Sequence, residues 1–512
     1  MSMSIWAVMC ILAHLGGHLA LADITVSLRQ KFSALNIHAV LPGDPDYEKF
    51  STPFNKRLSY QPAAIVFPSN TNEVADSVKV GVGEKLPVSP RSGGHSYAAY
   101  GLGGTNGALV IDLQRINHIS VDASSGEAVI GAGSRLGDIA LGLNNQGGRA
   151  LPHGVCPYVG LGGHASFGGY GFTSRLWGLT IDQIIEHEVV LANGSIIAAS
   201  KTVNPDLFWA LRGAAPSYGI MTAIRFRTLA APSQATNYGY DWHLSEADFA
   251  NALIKLQTFC MSDLPARFGM TTNIKKSTQH GKLLFSFAGA WYGPQDAFAA
   301  VVRPFLAQMP TPTRTSVKTT DWITSLQSRT GNQALSTSGV DLTAEHDTFY
   351  AKSITTPQAS PMSNSSIRAF SKYLANQGTQ SDTAWFVQVE LYGGKNSAVT
   401  AIPADETSFA QREILFTIQF YASSSNYAPP YPTEGFTLMD NMVDSIINNN
   451  PPGWNYGAYA NYVDDRLSAS QWKSLYYNSH YQRLAQIKAV YDPHNLFVNQ
   501  QSITGPTQPK EK

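Results

Sequence analysis

The sequence predicts an α+β fold in three stretches: a glycine-punctuated α/β part over residues 23–231, an inserted part of antiparallel sheet plus helices over 232–454, and a C-terminal segment, 455–512, that returns to the first. Three observations carry that expectation. Up to about Ala231, short apolar runs alternate with helix patterns and glycine turns. From Ser233 the runs lengthen and alternate apolar with polar residues, as in a sheet with one face buried. Beyond Trp454 a polar turn leads into one long amphipathic helix.

In the first part, AAIVF from Ala63 reads as a short buried strand. Asn70 with Glu73 three residues on has capping-box spacing, and Val74 and Val78 mark one helix face. LPVSP is a second strand, so Arg91-Ser92-Gly93-Gly94-His95-Ser96 must turn tightly at a strand end, a common place for backbone N–H groups to hold phosphates. ALVIDLQRINHISVD and EAVIGAGS alternate as strands do, and LGDIALGLNNQG is a helix pattern ended by glycine. After the glycine-dense stretch Val155 to Phe172, LTIDQIIEHEVVLANGSIIAAS reads as strand, Asn-Gly turn, strand. DLFWALRG is a short helix and GIMTAIRFRTL a strand. In the second part KLLFSFAGAWYG, TAWFVQVELYGG and REILFTIQFYASS are long strands, and DAFAAVVRPFLAQM is a helix. The last helix carries Leu484, Ile487 and Tyr491 on one side.

Lys+Arg and Asp+Glu both total 36 in the 512 residues, so charge gives no reason to expect nucleic acid or an anionic membrane as partner. A small neutral substrate and a monomeric chain are expected. The first 22 residues are apolar, interrupted by His14, Gly16, Gly17 and His18, and end in Ala20-Leu21-Ala22, which reads as a secretory signal cleaved after Ala22. Secretion is therefore expected, and no later segment is long and apolar enough to span a bilayer. Cleavage removes Cys10 and leaves Cys156 and Cys260. Cys260 lies in an amphipathic helix pattern, LIKLQTFCMSDLP, and is expected as buried apolar filler. Asn193 and Asn364 head glycan sequons.

The thirteen histidines invite a metal site, yet His95, His153 and His164 lack any recognised ligand spacing, and no metal is expected. Gly160-Leu-Gly162-Gly163-His-Ala165 formally matches a dinucleotide fingerprint, but Pro157 interrupts any preceding strand and the glycines run on instead of opening a long helix. Two glycine loops remain, one carrying His95 and the other Cys156. A neutral imidazole and a thiolate are both nucleophiles. Equally, the histidine could serve only as a loop hydrogen-bonding group and the cysteine as filler; spacing alone leaves both readings open.

The motif R-S-G-G-H-S-Y at Arg91 to Tyr97, with H-G-V-C-P-Y-V-G-L-G-G-H at His153 to His164, resembles the FAD-binding domain of the vanillyl-alcohol oxidase superfamily. More narrowly it resembles the bicovalent flavoproteins of the berberine bridge enzyme group. DLFWALRG, Gly393 to Ala398, NYVDD at Asn461 to Asp465 and YDPHNLF near the C-terminus are similar to fungal glucooligosaccharide and chitooligosaccharide oxidases. The resemblance implies a vanillyl-alcohol oxidase-type FAD-binding domain with an inserted substrate domain. It implies FAD bonded through His95 at the 8α-methyl and Cys156 at ring position 6, leaving an open cleft for a sugar chain. Arg91, Ser92, Gly93, Gly94 and Ser96 would cradle the pyrophosphate, with Gly160, Gly162, Gly163, Asn499 and the backbone around Ile220 adding contacts. The glycines are expected to give the cofactor backbone room.

The resemblance further implies that Tyr462 takes the proton of the reducing-end anomeric hydroxyl. A free tyrosine pKa near 10 suits this badly, so a neighbour must accept its proton or stabilise the phenolate. Glu390 stands where glucooligosaccharide oxidase has an aspartate, and the division of labour between the two stays open. Gln388, Glu390 and Tyr392 alternate on one strand face and are expected to line the cleft, with Tyr97, Gln419 and Asn273 also contacting substrate. Val159 occupies the position that favours molecular oxygen as acceptor. A secreted FAD-dependent oligosaccharide oxidase releasing a lactone and hydrogen peroxide is thus expected. The competing expectations are a berberine bridge-like oxidase of alcohols or secondary metabolites, a sugar dehydrogenase with another acceptor, and a non-catalytic flavin or glycan binder.

Overall fold

The computed structural model describes residues 23–331, 333–340 and 346–505; the expected signal segment, with Cys10, lies outside the described residues. In the first part, Ala64–Phe67, Leu109–Asp112 and Val88–Arg91 lie side by side in that order and run parallel, with His38–Val40 antiparallel at the edge. Leu109–Asp112 thus separates the two strands that flank the helix Thr71–Gly83. Asn70 caps that helix by accepting from the Glu73 N–H at 3.0 Å, and Glu73 accepts from the Ser69 N–H at 2.8 Å.

A second, antiparallel sheet orders Ile119–Val121, Glu127–Gly131, Ile220–Arg227, Ile184–Val190 and Ile196–Ser200. Its last two strands form the expected Asn-Gly hairpin, where Gly194 takes a φ of 78°. Residues from both sheets, among them Val66, Ile111, Ile130, Val189 and Ile224, build one continuous core.

The inserted part is a seven-stranded antiparallel sheet, ordered Arg314–Thr320, Ala235–Leu244, Leu283–Trp291, Phe268–Lys276, Ala384–Leu391, Ile414–Ser423 and Phe349–Pro357. Alternation decides its two faces. Val387, Val389 and Leu391 join a second core beneath the helices Glu246–Cys260, Asn364–Tyr373 and Thr433–Ile447. Phe386, Gln388 and Glu390 face the other way, toward the first part. Cys260 is fully buried in the second core, as filler, and burial pushes its thiol pKa up.

The two parts interlock. Tyr392, Val399 and Phe409 leave the second core and pack into the first. The C-terminal helix His480–Tyr491 packs there through Leu484 and Ile487, with Tyr491 half-buried. Arg175, 1% exposed, reaches from the first part into the second and donates to the carbonyls of Gly393 (2.9 Å), Pro265 (2.8 Å), Phe268 (2.8 Å), Leu264 (3.4 Å) and Lys395 (2.9 Å). Asp182 of the first part accepts two hydrogen bonds from Arg412, at 2.9 and 2.7 Å, both side chains buried.

Removing this guanidinium takes a donor from five carbonyls at once, of which Pro265 keeps the Phe268 N–H and Leu264 the Asn396 amide. Arg175→Met is therefore expected to destabilise the chain by at least about 3 kcal/mol, read as a lower denaturant midpoint; an unchanged midpoint would show that the clamp contributes nothing.

Candidate active site

Both glycine loops open onto one cavity of about 1110 Å³ between the two parts, and His95 and Cys156 both line it. Local geometry explains why the loops meet there. A Cβ on Gly160 would lie 2.0 Å from the Gly93 nitrogen, and one on Gly93 would lie 2.2 Å from the Gly160 nitrogen. These two glycines thus give each other room where both also border the cavity. Gly163, by contrast, has open space at its Cβ position. Gly94 takes a φ of 75°, which L side chains rarely adopt. Ser92 donates to the Ala132 carbonyl at 2.6 Å and accepts from the Gly162 N–H at 3.2 Å.

The cysteine loop is docked on a helix end. The N–H groups of Leu136 and Gly137 open the helix Leu136–Asn145 and donate to the carbonyls of Val159 and Pro157, each at 3.0 Å. Such first-turn donors have no partner inside the helix, so the loop carbonyls complete them.

Ser92, Gly93, Gly94, Ser96, Val159, Gly160, Gly162, Gly163 and Asn499 all line the cavity. Arg91 borders it, but its guanidinium is held by the Asp112 carboxylate and the Phe50 carbonyl. Ile220 is fully buried and does not line it; Ser217, Gly219 and Met221 do. On the substrate side, Tyr97, Gln388 and Gln419 line the wall. Two expected residues do not. Tyr392, 0% exposed, keeps the face of Glu390 but is covered there by the first part, stacking on Tyr170 with centroids 3.9 Å apart and meeting Tyr459 edge-on. Asn273 pairs in register with Gln388 yet stands outside the lining.

Tyr462 and Glu390, from different parts of the chain, meet in the cavity, where the Tyr462 hydroxyl donates to Glu390 Oε1 at 2.9 Å. Burial pushes the Glu390 pKa up to about 8; the hydroxyls of Tyr462 and Tyr392 pull the other way. Tyr392 does so without a well-formed hydrogen bond, and Glu390 Oε2 has no partner. Thr271 and Thr417, in register on either side of Glu390, also carry buried hydroxyls without partners. Such groups ask for water or polar ligand atoms. Burial, then the Glu390 charge, holds the Tyr462 pKa well above its ordinary value of 10. Tyr97 stacks on Tyr462 with rings 6.1 Å apart, and its hydroxyl accepts from Gln419 Nε2 at 2.9 Å. His95 stacks on Phe54 at 4.3 Å. Its imidazole is neutral: burial, then Arg135 and His346, lowers its pKa to about 3.

Residues 62–200 match the family described as FAD binding domain, and residues 458–504 match that described as berberine and berberine like. A protein named FAD-linked oxidoreductase dpmaF, from Metarhizium anisopliae, is 33% identical over 503 residues, covering 96% of this chain and 95% of the relative. The chain belongs to the berberine bridge-like FAD-linked oxidases. The glucooligosaccharide oxidase of Sarocladium strictum, another relative, is 36% identical over 460 residues, covering 88% of this chain and 89% of its own. A solved glucooligosaccharide oxidase from Acremonium strictum, titled for its 6-S-cysteinyl, 8α-N1-histidyl FAD, superposes with a TM-score of 0.87 at 33% identity, covering 94% of this chain and all of that one.

The residues present fit the family's cofactor. A cavity of about 1110 Å³ exceeds an ordinary ligand pocket, roughly 300–1,000 Å³. Two loops rich in backbone donors border it, and a neutral imidazole and a thiol share it. Among the described residues no group of three or more His, Cys, Asp or Glu side chains could hold a metal ion, and no helix is long and apolar enough to cross a membrane. Sequence reasoning missed Phe54, Phe386, Tyr421, His164 and Asp347 in the lining. The strand alternation that led to Gln388 and Glu390 already held the signal for Phe386.

Only the ionised carboxylate can accept the Tyr462 proton. If Glu390 is the proton acceptor, turnover per unit substrate is expected to rise with pH through about 8 as it ionises. Glu390→Gln, which cannot take a proton, should lose that limb together with about 10²-fold or more of the rate. A variant keeping the wild-type pH profile would remove Glu390 from the chemistry.

Proposed function

We propose that this oxidase takes the reducing-end anomeric hydroxyl of an oligosaccharide to the lactone, which hydrolyses to the aldonic acid. The observation that carries the reading is the Tyr462–Glu390 hydrogen bond of 2.9 Å facing a cavity walled by Tyr97, Gln388 and Gln419. Tyr462 Oη accepts the proton of the anomeric hydroxyl while its own proton passes to Glu390 Oε1. Coupling the two transfers avoids a free phenolate in a buried site where its pKa stands well above 10. Because Tyr97 accepts from Gln419, its own hydroxyl proton is available to a sugar oxygen. FAD, when bound, supplies the two-electron acceptor for the hydrogen on the anomeric carbon, and molecular oxygen, admitted beside Val159, carries the electrons away as hydrogen peroxide.

His95 and Cys156 would hold the cofactor by two covalent bonds, as in the solved relative. The substrate class follows relatives named for gluco-, chito- and xylooligosaccharides. Secretion as a glycoprotein is supported by the apolar N-terminal segment and by the exposed positions of Asn193 and Asn364. A glutamate at 390 also favours a second reading, an oxidase of alcohols or secondary metabolites in which Glu390 alone is the base.

Peroxide release across cello-, xylo-, malto- and chito-oligosaccharides separates the two, with turnover expected on at least one; silence on all four from yellow protein sinks the carbohydrate reading. Tyr462→Phe should keep its colour through acid precipitation yet slow anaerobic bleaching by sugar about 10²-fold or more. Bleaching at the native rate would remove Tyr462 as the base.

A further inference from the structure

One charged residue touches both tether loops and belongs to neither. Arg135, the residue just before the helix Leu136–Asn145, donates from Nη1 to the Tyr158 carbonyl at 2.6 Å and to the Gly93 carbonyl at 3.3 Å. Tyr158 lies two residues after Cys156, and Gly93 two residues before His95. The backbone of Arg135 also pairs with Gly160, where the two loops meet. Its nearby carboxylates are committed elsewhere: Asp112 to Arg91, and Asp138 to the hydroxyl and N–H of Thr337. Among the described residues no ion pair to Arg135 forms, and its guanidinium hydrogen bonds go to the two loops. We propose that Arg135 is the positioning residue for the Cys156 tether, holding the two loops together and supplying the positive charge that favours the cysteine as thiolate.

The proposal rests on the two-tether reading above. Electrostatics support it from the arginine's side. Burial lowers the Arg135 pKa, while Asp112, Asp138 and the Cys156 sulfur act to keep the guanidinium charged and Arg91 opposes them. That attraction is mutual, so the guanidinium favours the ionised sulfur. His95 differs, because burial is the largest cause of its low pKa and Arg135 only adds to it. The imidazole is thus neutral and nucleophilic with or without Arg135, whereas the thiol gains from it. Each tether breaks one C–H bond of the flavin and one N–H or S–H bond of the protein and forms one C–N or C–S bond. The two protons and two electrons released go to dioxygen as one hydrogen peroxide.

The test is the share of His95-containing and Cys156-containing peptides that carry flavin mass after digestion of purified full-length protein. Wild type should carry flavin on both. In Arg135→Gln, which keeps a donor and removes the charge, the cysteine tether should fall about tenfold or more while the histidine tether persists. Arg135→Lys should restore the cysteine tether. Both tethers retained in Arg135→Gln, or both lost in equal measure, overturns the assignment. If Arg135→Gln does not fold, folded Arg135→Lys decides: a missing cysteine tether there overturns it, and a retained one supports it. Wild type without flavin on the cysteine peptide overturns the two-tether reading itself, and this assignment with it.

Discussion

The backbone contact between Gly93 and Gly160 is the constraint on which the site depends. Where the loops of His95 and Cys156 meet, their chains approach more closely than any Cβ permits. That contact is braced from outside by Ser92, by Arg135 and by the first turn of the helix Leu136–Asn145. None of these groups needs to move for the loops to keep their separation. The placement of the two loops that carry His95 and Cys156 thus rests on contacts within the first part.

The opposite wall works under a different constraint. Glu390 is 5% exposed with its pKa raised to about 8, so ionising it runs against the fold. Its contribution to stability is fully present below the unfolded carboxylate value near 4.5 and is lost as pH rises through about 8. The rest of the interface must therefore hold the two parts together under conditions where the ionised carboxylate disfavours folding. Arg175 and the Asp182–Arg412 pair are placed for this, since both join the parts through buried, multiply bonded guanidinium groups.

Local chemistry explains what was legible in the sequence. Asn70, Gly194 and the alternating run through Gln388 and Glu390 act through neighbours within a few residues, and the structure follows them. Arg314–Thr320, an exposed polar edge strand, and Phe349–Pro357 show no comparable alternation and became legible only as partners of other strands. Tyr392 keeps the face that alternation gives it but is not a cleft residue, because a period-two rule does not signal that Tyr170 and Tyr459 cover it. Arg135 carries no motif at all: its role comes from two carbonyls, 42 and 23 residues distant, that only folding brings together. The meeting of Tyr462 with Glu390, 72 residues apart, rested on resemblance for the same reason.

The proposed two-bond tethering also bears on why the wall can be so open. A cofactor held by bonds needs no side chains packed around its ring, which frees the sheet face to contact substrate alone. Along the Ala384–Leu391 strand, Glu390, Gln388 and Phe386 step outward at intervals of roughly 6.6–6.8 Å. The second step pairs Gln388 with Gln419, and the third stacks Phe386 on Tyr421 at 4.9 Å, with Tyr421 in turn on Phe349 at 4.3 Å. Acid–base chemistry, then hydrogen-bonding amides, then aromatic faces is the order a reducing-end sugar and the units behind it would meet. A monosaccharide oxidase would have no use for the outer steps, so the spacing of the wall favours a substrate of several sugars under the proposed reading.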